Sequence, residues 1–332
     1  MPNRTDSLPL IAVTSELPGD ALLLIEGRAR VRTRTARGVR FGEDMIRCLR
    51  GAQGAVTLLS DPVSEAVLAA CPSLKVVSNV AVGVDNVDLA ACARRGVVVT
   101  NTPDVLTEAC ADLTWALLLG AARRVIEGDR FVRAGKFKGW RLDLLMGAGL
   151  CGKTLGIVGM GRIGQAVARR AAPFGLRVIY AQRTRLAPSQ EAALGARFVP
   201  LEELLRTSDA VSLHCALTPE TRHLLDRHRL SLLKPGALLI NTGRGPLVDE
   251  GALVEALRSG RLFAAGLDVY EREPELAQGL KNLPNVILLP HIGSASRETR
   301  EEMARMAVAD CLAVIEGRAP GHAVSLEVRS EE

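Results

Sequence analysis

Six residues, Gly159-Met-Gly161-Arg-Ile-Gly164, constrain this chain more than any other stretch. They follow the apolar run Thr154–Gly159 and open a helical run, Gln165–Ala172, after which another apolar run begins at Arg177. Glycine at the first position permits a tight turn. At the second it lets a ligand approach the backbone, and at the third it lets helix and strand pack closely. The N-terminus of the helix then offers unpaired N–H groups to an anion, so the segment reads as a pyrophosphate cradle inside a βαβ unit.

The rest of the chain is written in the same grammar. Before the cradle, Pro9–Thr14, Ala55–Leu59, Lys75–Ser78 and Val97–Thr100 read as strands with helical stretches between them, such as Ser64–Ala70 after Asp61-Pro62. A long, largely apolar helix is expected over Leu106–Arg124, with Asp104 or Thr107 near its start. Further strands are expected at Arg177–Tyr180, Ala210–His214, Ala237–Asn241, Ala264–Asp268 and Val286–Leu289. A tail helix over Arg297–Glu316 ends before Gly317 and Pro320. Strands alternating with helices imply parallel sheets covered on both faces. The expected fold is therefore α/β, with two doubly wound parallel-sheet units in series and a boundary near the long helix. A length of 332 residues suits two such cores. Periodicity leaves open which unit the tail helix covers.

Composition removes other classes. The chain is 48% hydrophobic and 24% charged, which excludes wholesale disorder. Its longest apolar stretches, such as Leu113–Ala122, are too short to span a bilayer, and Met1–Pro9 does not read as a secretory signal, so a cytoplasmic protein without a membrane partner is expected. Seven cysteines without a CxxC, and five histidines without ligand spacing, give no metal or disulfide framework. The net charge of +5 permits anionic ligands. Arg28, Arg30, Arg32 and Arg34 alternate strictly at the head of a six-arginine stretch ending at Arg40, as on one face of a solvated edge strand. With only 3% aromatic residues there is no stacking platform for nucleic acid.

Two places carry chemistry. Where an NAD site carries an acid for the ribose, at the end of the second strand, this chain reads Tyr180-Ala-Gln182-Arg183-Thr184-Arg185. Two arginines and a hydroxyl there suit a 2′-phosphate, so NADP(H) is expected as the preferred cofactor, with NAD(H) possible. Arg244, Glu273 and His291 each lie just past the end of an expected strand, where open α/β sheets bind ligands.

These segments, together with Asn79-Val-Ala-Val-Gly-Val-Asp85 and Asn101-Thr-Pro-Asp-Val-Leu-Thr107, resemble the D-isomer-specific 2-hydroxyacid dehydrogenases. The resemblance runs from about Pro9 to Glu316, and Thr102–Thr107 and Gln182–Arg185 point to the glyoxylate/hydroxypyruvate reductase branch. It departs at Pro246, which removes an N–H after the arginine, and at Ala216, where many relatives carry proline.

The resemblance implies two Rossmann-like domains with an active-site cleft between them. A substrate-binding domain would comprise 1–104 plus 295–332, and a dinucleotide-binding domain 105–294. It implies that NADPH reduces the C2 carbonyl of a small 2-oxo acid. His291 would be the acid, Glu273 would favour its charged form, and Arg244 would hold the substrate in a fork that lysine could not copy. Cofactor positions would be Thr107, Gly159, Gly161, Arg162, Ile163, Gly164, Arg183, Thr184, Arg185, Cys215, Thr242, Gly243, Asp268 and Gly293. Substrate positions would be Leu59, Val82, Gly83, Trp140 and Arg244, with N–H groups of Val82 and Gly83 facing the carboxylate. A homodimer through the cofactor domain is also implied. The alternatives are a 2-ketogluconate reductase, an NAD-dependent phosphoglycerate dehydrogenase, or a dinucleotide-sensing corepressor-like scaffold.

Overall fold

The structure, a computed structural model, describes residues 8–34 and 42–325. Arg37 and Arg40 of the basic stretch lie outside the described residues. The chain divides into two compact units, Met1–Leu106 with Ser294–Glu332, and Thr107–Gly293.

The first unit is built on β1 (Leu10–Val13), β2 (Arg30–Thr33), β3 (Gly54–Thr57), β4 (Val76–Asn79) and β5 (Val98–Thr100). They form one sheet in the order β2-β1-β3-β4-β5, every pair parallel. β3 and β4 are buried along their whole length because helices cover both faces. Local signals set these helices: Asp88 caps Leu89–Arg95 through the Ala91 N–H at 2.9 Å, and Gly96, at φ 66°, ends it. The tail helix Arg297–Ile315 belongs to this unit. Its Ala304, Ala307, Val308, Cys311 and Leu312 are buried in one cluster with Ile11, Val13, Val56 and Val76. Of the four alternating arginines, only Arg30 and Arg32 fall on the edge strand β2; Arg28 precedes it and Arg34 follows it. On β2, Arg30 and Arg32 are exposed, and Arg32 Nη1 donates to the Arg50 carbonyl at 2.8 Å. Just before it, Arg28 pairs with Glu316 at 2.6 Å.

The second unit contains β6 (Thr154–Val158), β7 (Arg177–Ala181), β8 (Ala196–Phe198), β9 (Ala210–Leu213), β10 (Ala237–Asn241), β11 (Leu262–Leu267) and β12 (Val286–Leu288). Their order is β12-β11-β10-β9-β6-β7-β8, again all parallel. β6 lies between β7 and β9, so the winding reverses there and leaves a crevice beyond the carboxyl ends of those strands. The long helix Thr107–Ala122 packs Ala111, Trp115 and Leu118 over Leu155, Ile157, Leu238 and Ile240. On the other face, Leu204, Leu253 and Leu257 cover Val211, Leu213 and Leu239. Among the described elements outside the expected set are the three-residue strand β8 and the helix Val125–Arg133, none of whose residues is buried.

Candidate active site

The three glycines of the cradle do three different things. Gly159 turns at φ 93°, and a Cβ there would lie 2.5 Å from the Cys215 nitrogen. A Cβ on Gly164 would lie 2.2 Å from the Gly159 carbonyl oxygen, so it closes the helix onto the turn. Gly161 alone faces open space, and as N-cap of Arg162–Arg169 it supplies no side-chain cap to the first N–H groups. That is the surface a pyrophosphate needs, and a dinucleotide fits it. Arg162 and Ile163 open this helix.

Beside the cradle lies a cavity of about 560 Å³. It is lined by Gly159, Gly161, Arg183, Thr184, Cys215 and Glu220, among others. Gln182, the residue just past β7, accepts the Met160 N–H at 2.9 Å, which ties this strand end to the cradle. Arg183 and Thr184 are exposed at the rim. Arg185, expected to act together with Arg183, does not line the cavity. Its guanidinium is held by both oxygens of Glu191, at 2.9 and 2.7 Å. Glu191 also accepts from the Tyr180 hydroxyl at 2.6 Å, and these two partners hold its carboxyl down at about 2. Tyr180 is fully buried, so the pair is anchored by the core, with the helix Pro188–Leu194 supplying the carboxylate. Sequence reading also passed over Glu220, whose negative charge shares the cavity with Arg183. His214, bonded to the Ser212 hydroxyl at 2.8 Å, is pushed down to about 4 by burial.

The ionic group is assembled from three strand ends of the same sheet. After β10, Asn241 folds the turn that carries Arg244: its Oδ1 accepts from Gly243 N–H at 3.1 Å, and its Nδ2 donates to the Arg244 carbonyl at 2.9 Å. Gly245 must follow, because a Cβ there would sit 1.8 Å from the Tyr270 carbonyl carbon. The Arg244 turn is thus pressed against the segment after β11 that carries Glu273. Glu250 secures that segment by accepting the Glu271 and Ala277 N–H groups at 2.7 and 3.2 Å.

After β12, His291 adopts φ 55°, a conformation that costs energy for a residue with a Cβ. It is fixed there because its N–H donates to the Asp268 carbonyl at 2.9 Å. The Asp268 carboxylate meanwhile accepts from Ile292 and Gly293 N–H at 2.8 and 2.7 Å. Nδ1 of His291 lies 2.9 Å from Glu273 Oε2, and must donate, since a carboxylate only accepts. Glu273 Oε1 accepts the Tyr270 N–H at 3.0 Å. Burial pushes the Glu273 carboxyl up, but the His291 bond and charge, the Tyr270 N–H and the Arg244 charge outweigh it and leave it below its ordinary value. Asp268 goes the other way. Its burial outweighs the two N–H bonds and raises it. The hydroxyl of Thr242 meets that of Thr114 at 2.8 Å, so the turn before Arg244 is also tied to the long helix that begins at Thr107.

In the first unit, Val82 and Gly83 lie in the loop after β4 and Leu59 in the loop after β3, all at least partly exposed. Trp140, in the second unit, is 80% exposed. Among the described residues, no helix is long and apolar enough to cross a membrane.

A doubly wound sheet with a glycine cradle at its reversal, and with arginine, glutamate and histidine past three of its strand ends, defines a dinucleotide-binding α/β protein. The chain belongs to the D-isomer-specific 2-hydroxyacid dehydrogenase family, whose NAD-binding domain matches residues 115–293. It is 44% identical to the glyoxylate reductase of Thermococcus litoralis, over 96% of this chain and 98% of that one. A crystal structure of a protein from Thermus thermophilus is similar at 50% identity and a TM-score of 0.88, covering 95% of this chain and all of that one. An NADPH-dependent glyoxylate/hydroxypyruvate reductase from Sinorhizobium meliloti, in complex with NADP and malonate, is similar at 34% identity and a TM-score of 0.84. It covers 98% of this chain and 99% of that one.

Proposed function

We propose that this chain uses NADPH to reduce a small 2-oxo acid, glyoxylate or hydroxypyruvate, to the D-2-hydroxy acid. The observation that carries the reading is the 2.9 Å contact between His291 and Glu273 past the sheet's carboxyl edge, with Arg244 on the adjoining turn. The names of the relatives support the substrate, and the NADP complex of one of them supports the cofactor.

The reduced nicotinamide, when bound, supplies the hydride for the C2 carbonyl. Negative charge then grows on the carbonyl oxygen, and the chain's own groups meet it. His291 donates a proton from Nε2, while Glu273 holds the opposite nitrogen and stabilises the imidazolium. Arg244 pairs with the substrate's carboxylate and carbonyl. Gly159, Gly161, Arg162, Ile163 and Gly164 hold the pyrophosphate. Thr107, Cys215, Thr242, Gly243, Asp268 and Gly293 complete the cofactor site, and Arg183 with Thr184 receives the 2′-phosphate. Arg185 serves indirectly, by holding the strand end through Glu191. The first unit is the substrate-binding domain, through Val82, Gly83 and Leu59, and the second is the dinucleotide-binding domain.

We also propose a homodimer through the second unit. Val125, Val132, Phe137, Trp140, Leu142 and Met146 are all more than half exposed and fall within 22 consecutive positions, an apolar surface that a second copy would cover. Trp140 would there border the partner's substrate site.

Measuring kcat/KM for glyoxylate, hydroxypyruvate, pyruvate and 2-ketogluconate, each with NADPH and NADH, tests the reading. Glyoxylate or hydroxypyruvate with NADPH should rank first. A preference for 2-ketogluconate or for NADH would overturn it, and no turnover at all would favour a binding scaffold.

A further inference from the structure

In a trans peptide the carbonyl oxygen and the next residue's N–H point in opposite directions, so holding one aims the other. Three consecutive carbonyls after β4 are held in this way. Ala81 O accepts the Thr102 N–H at 2.9 Å, Val82 O accepts from Asn101 Nδ2 at 2.8 Å, and Gly83 O accepts from Asn79 Nδ2 at 2.9 Å. The N–H groups carried by those peptides belong to Val82, Gly83 and Val84. None of the three has an acceptor among the described residues, and all three residues are at least partly exposed. Successive free N–H groups make a concavity that binds anions.

The two asparagines are themselves fixed. Asn79 is fully buried, and its Oδ1 accepts from Thr57 Oγ1 at 3.1 Å and Asn86 Nδ2 at 3.2 Å. Asn101 is held through its backbone, whose N–H donates to the His322 carbonyl at 3.2 Å. His322 is in turn pinned by buried Asp310 of the tail helix, which accepts from His322 Nδ1 at 2.8 Å and from Gly321 N–H at 2.7 Å. The returning tail thus reaches the loop through Asn101.

We propose that Asn101, with Asn79 behind it, is a positioning residue for substrate binding: by holding the Val82 carbonyl it aims the Gly83 N–H at the carboxylate of the 2-oxo acid, beside the Val84 N–H set by Asn79 and the Val82 N–H set by the Thr102 backbone. This rests on the reading of Val82 and Gly83 as the carboxylate's partners. A carboxylate is equally charged before and after reduction, so losing its donors weakens substrate binding more than the chemical step.

Asn101, unlike Asn79, can be changed without opening the core, so it is the test. In the full-length protein, Asn101→Ala should raise KM for glyoxylate about tenfold and Ki for the dicarboxylate oxalate in parallel. Its kcat and KM for NADPH should stay within about twofold. Asn101→Asp, which removes the donor and adds a negative charge, should raise KM further, and Asn101→Gln, which keeps an amide donor, should recover most of the loss. A glyoxylate KM unchanged in Asn101→Ala, or a rise matched by an equal rise for NADPH, overturns the proposal. A wild-type protein that does not turn over glyoxylate instead overturns the reading on which it rests.

Discussion

At the residue scale the decisive pair is His291 and Glu273. The Glu273 carboxyl sits below its ordinary value in the folded chain, so it stays ionised throughout the neutral range. The stability it adds is fully present above the unfolded value near 4.5 and is lost only as pH falls through the lowered one. At neutral pH the carboxylate therefore supports the imidazolium. Glu273→Gln removes that support, and kcat/KM for reduction should begin its alkaline fall at lower pH than in the wild type. An unchanged pH profile would remove Glu273 from this role. Gly245 gives a second case, set by space alone. With 1.8 Å between a Cβ and the Tyr270 backbone, Gly245→Ala must push the Arg244 turn away from the Glu273 segment. Overpacking of this kind costs about 1–3 kcal/mol, readable as a lower Tm, and activity should fall with it. Unaltered Tm and activity would show that the turn has slack.

At the scale of elements, what was legible in the sequence depended on signal length. The buried parallel strands announce themselves as apolar runs, and β6, its glycines and the helix after them form one continuous pattern. The arginine, glutamate and histidine could be placed because each immediately follows such a run. By contrast, β8 is three residues long and partly polar, Ala-Arg-Phe, too short for periodicity to register. The helix Val125–Arg133 was hidden for another reason: none of its residues is fully buried within this chain, so its apolar positions do not mark a core face. The Glu191–Arg185 pair was invisible because its geometry depends on how the helix Pro188–Leu194 lies against β7. That pair changes the expectation for the cofactor. With Arg185 paired to Glu191 and Glu220 sharing the cavity, Arg183 is the cationic side chain among the described residues that line it. A solvent-exposed charge pair of this kind should give a preference of no more than about fivefold for NADPH over NADH, narrowed by added salt. Arg183→Ala should abolish that preference, whereas Arg185→Ala should lower Tm while changing the cofactor ratio little. Equal effects of the two substitutions on the ratio would contradict this division of labour.

For the whole molecule, the apolar surface at 125–146 predicts a dimer. Light scattering should give twice the 35.4 kDa of one chain, and Trp140→Ala should alter discrimination between glyoxylate and larger 2-oxo acids. A monomer would leave that surface unexplained. Everything else depends on whether the ionic group at the strand ends performs the reduction. The most direct measurement is NADPH oxidation with glyoxylate as the sole acceptor, for the wild type and His291→Gln side by side, with NADPH binding followed separately. The wild type should turn over saturably at about 1–1,000 per second. The variant should bind NADPH as well as the wild type yet reduce glyoxylate about 100–10,000 times more slowly. Equal rates in the two proteins, or a wild type that binds NADPH and leaves glyoxylate untouched, would contradict the assignment.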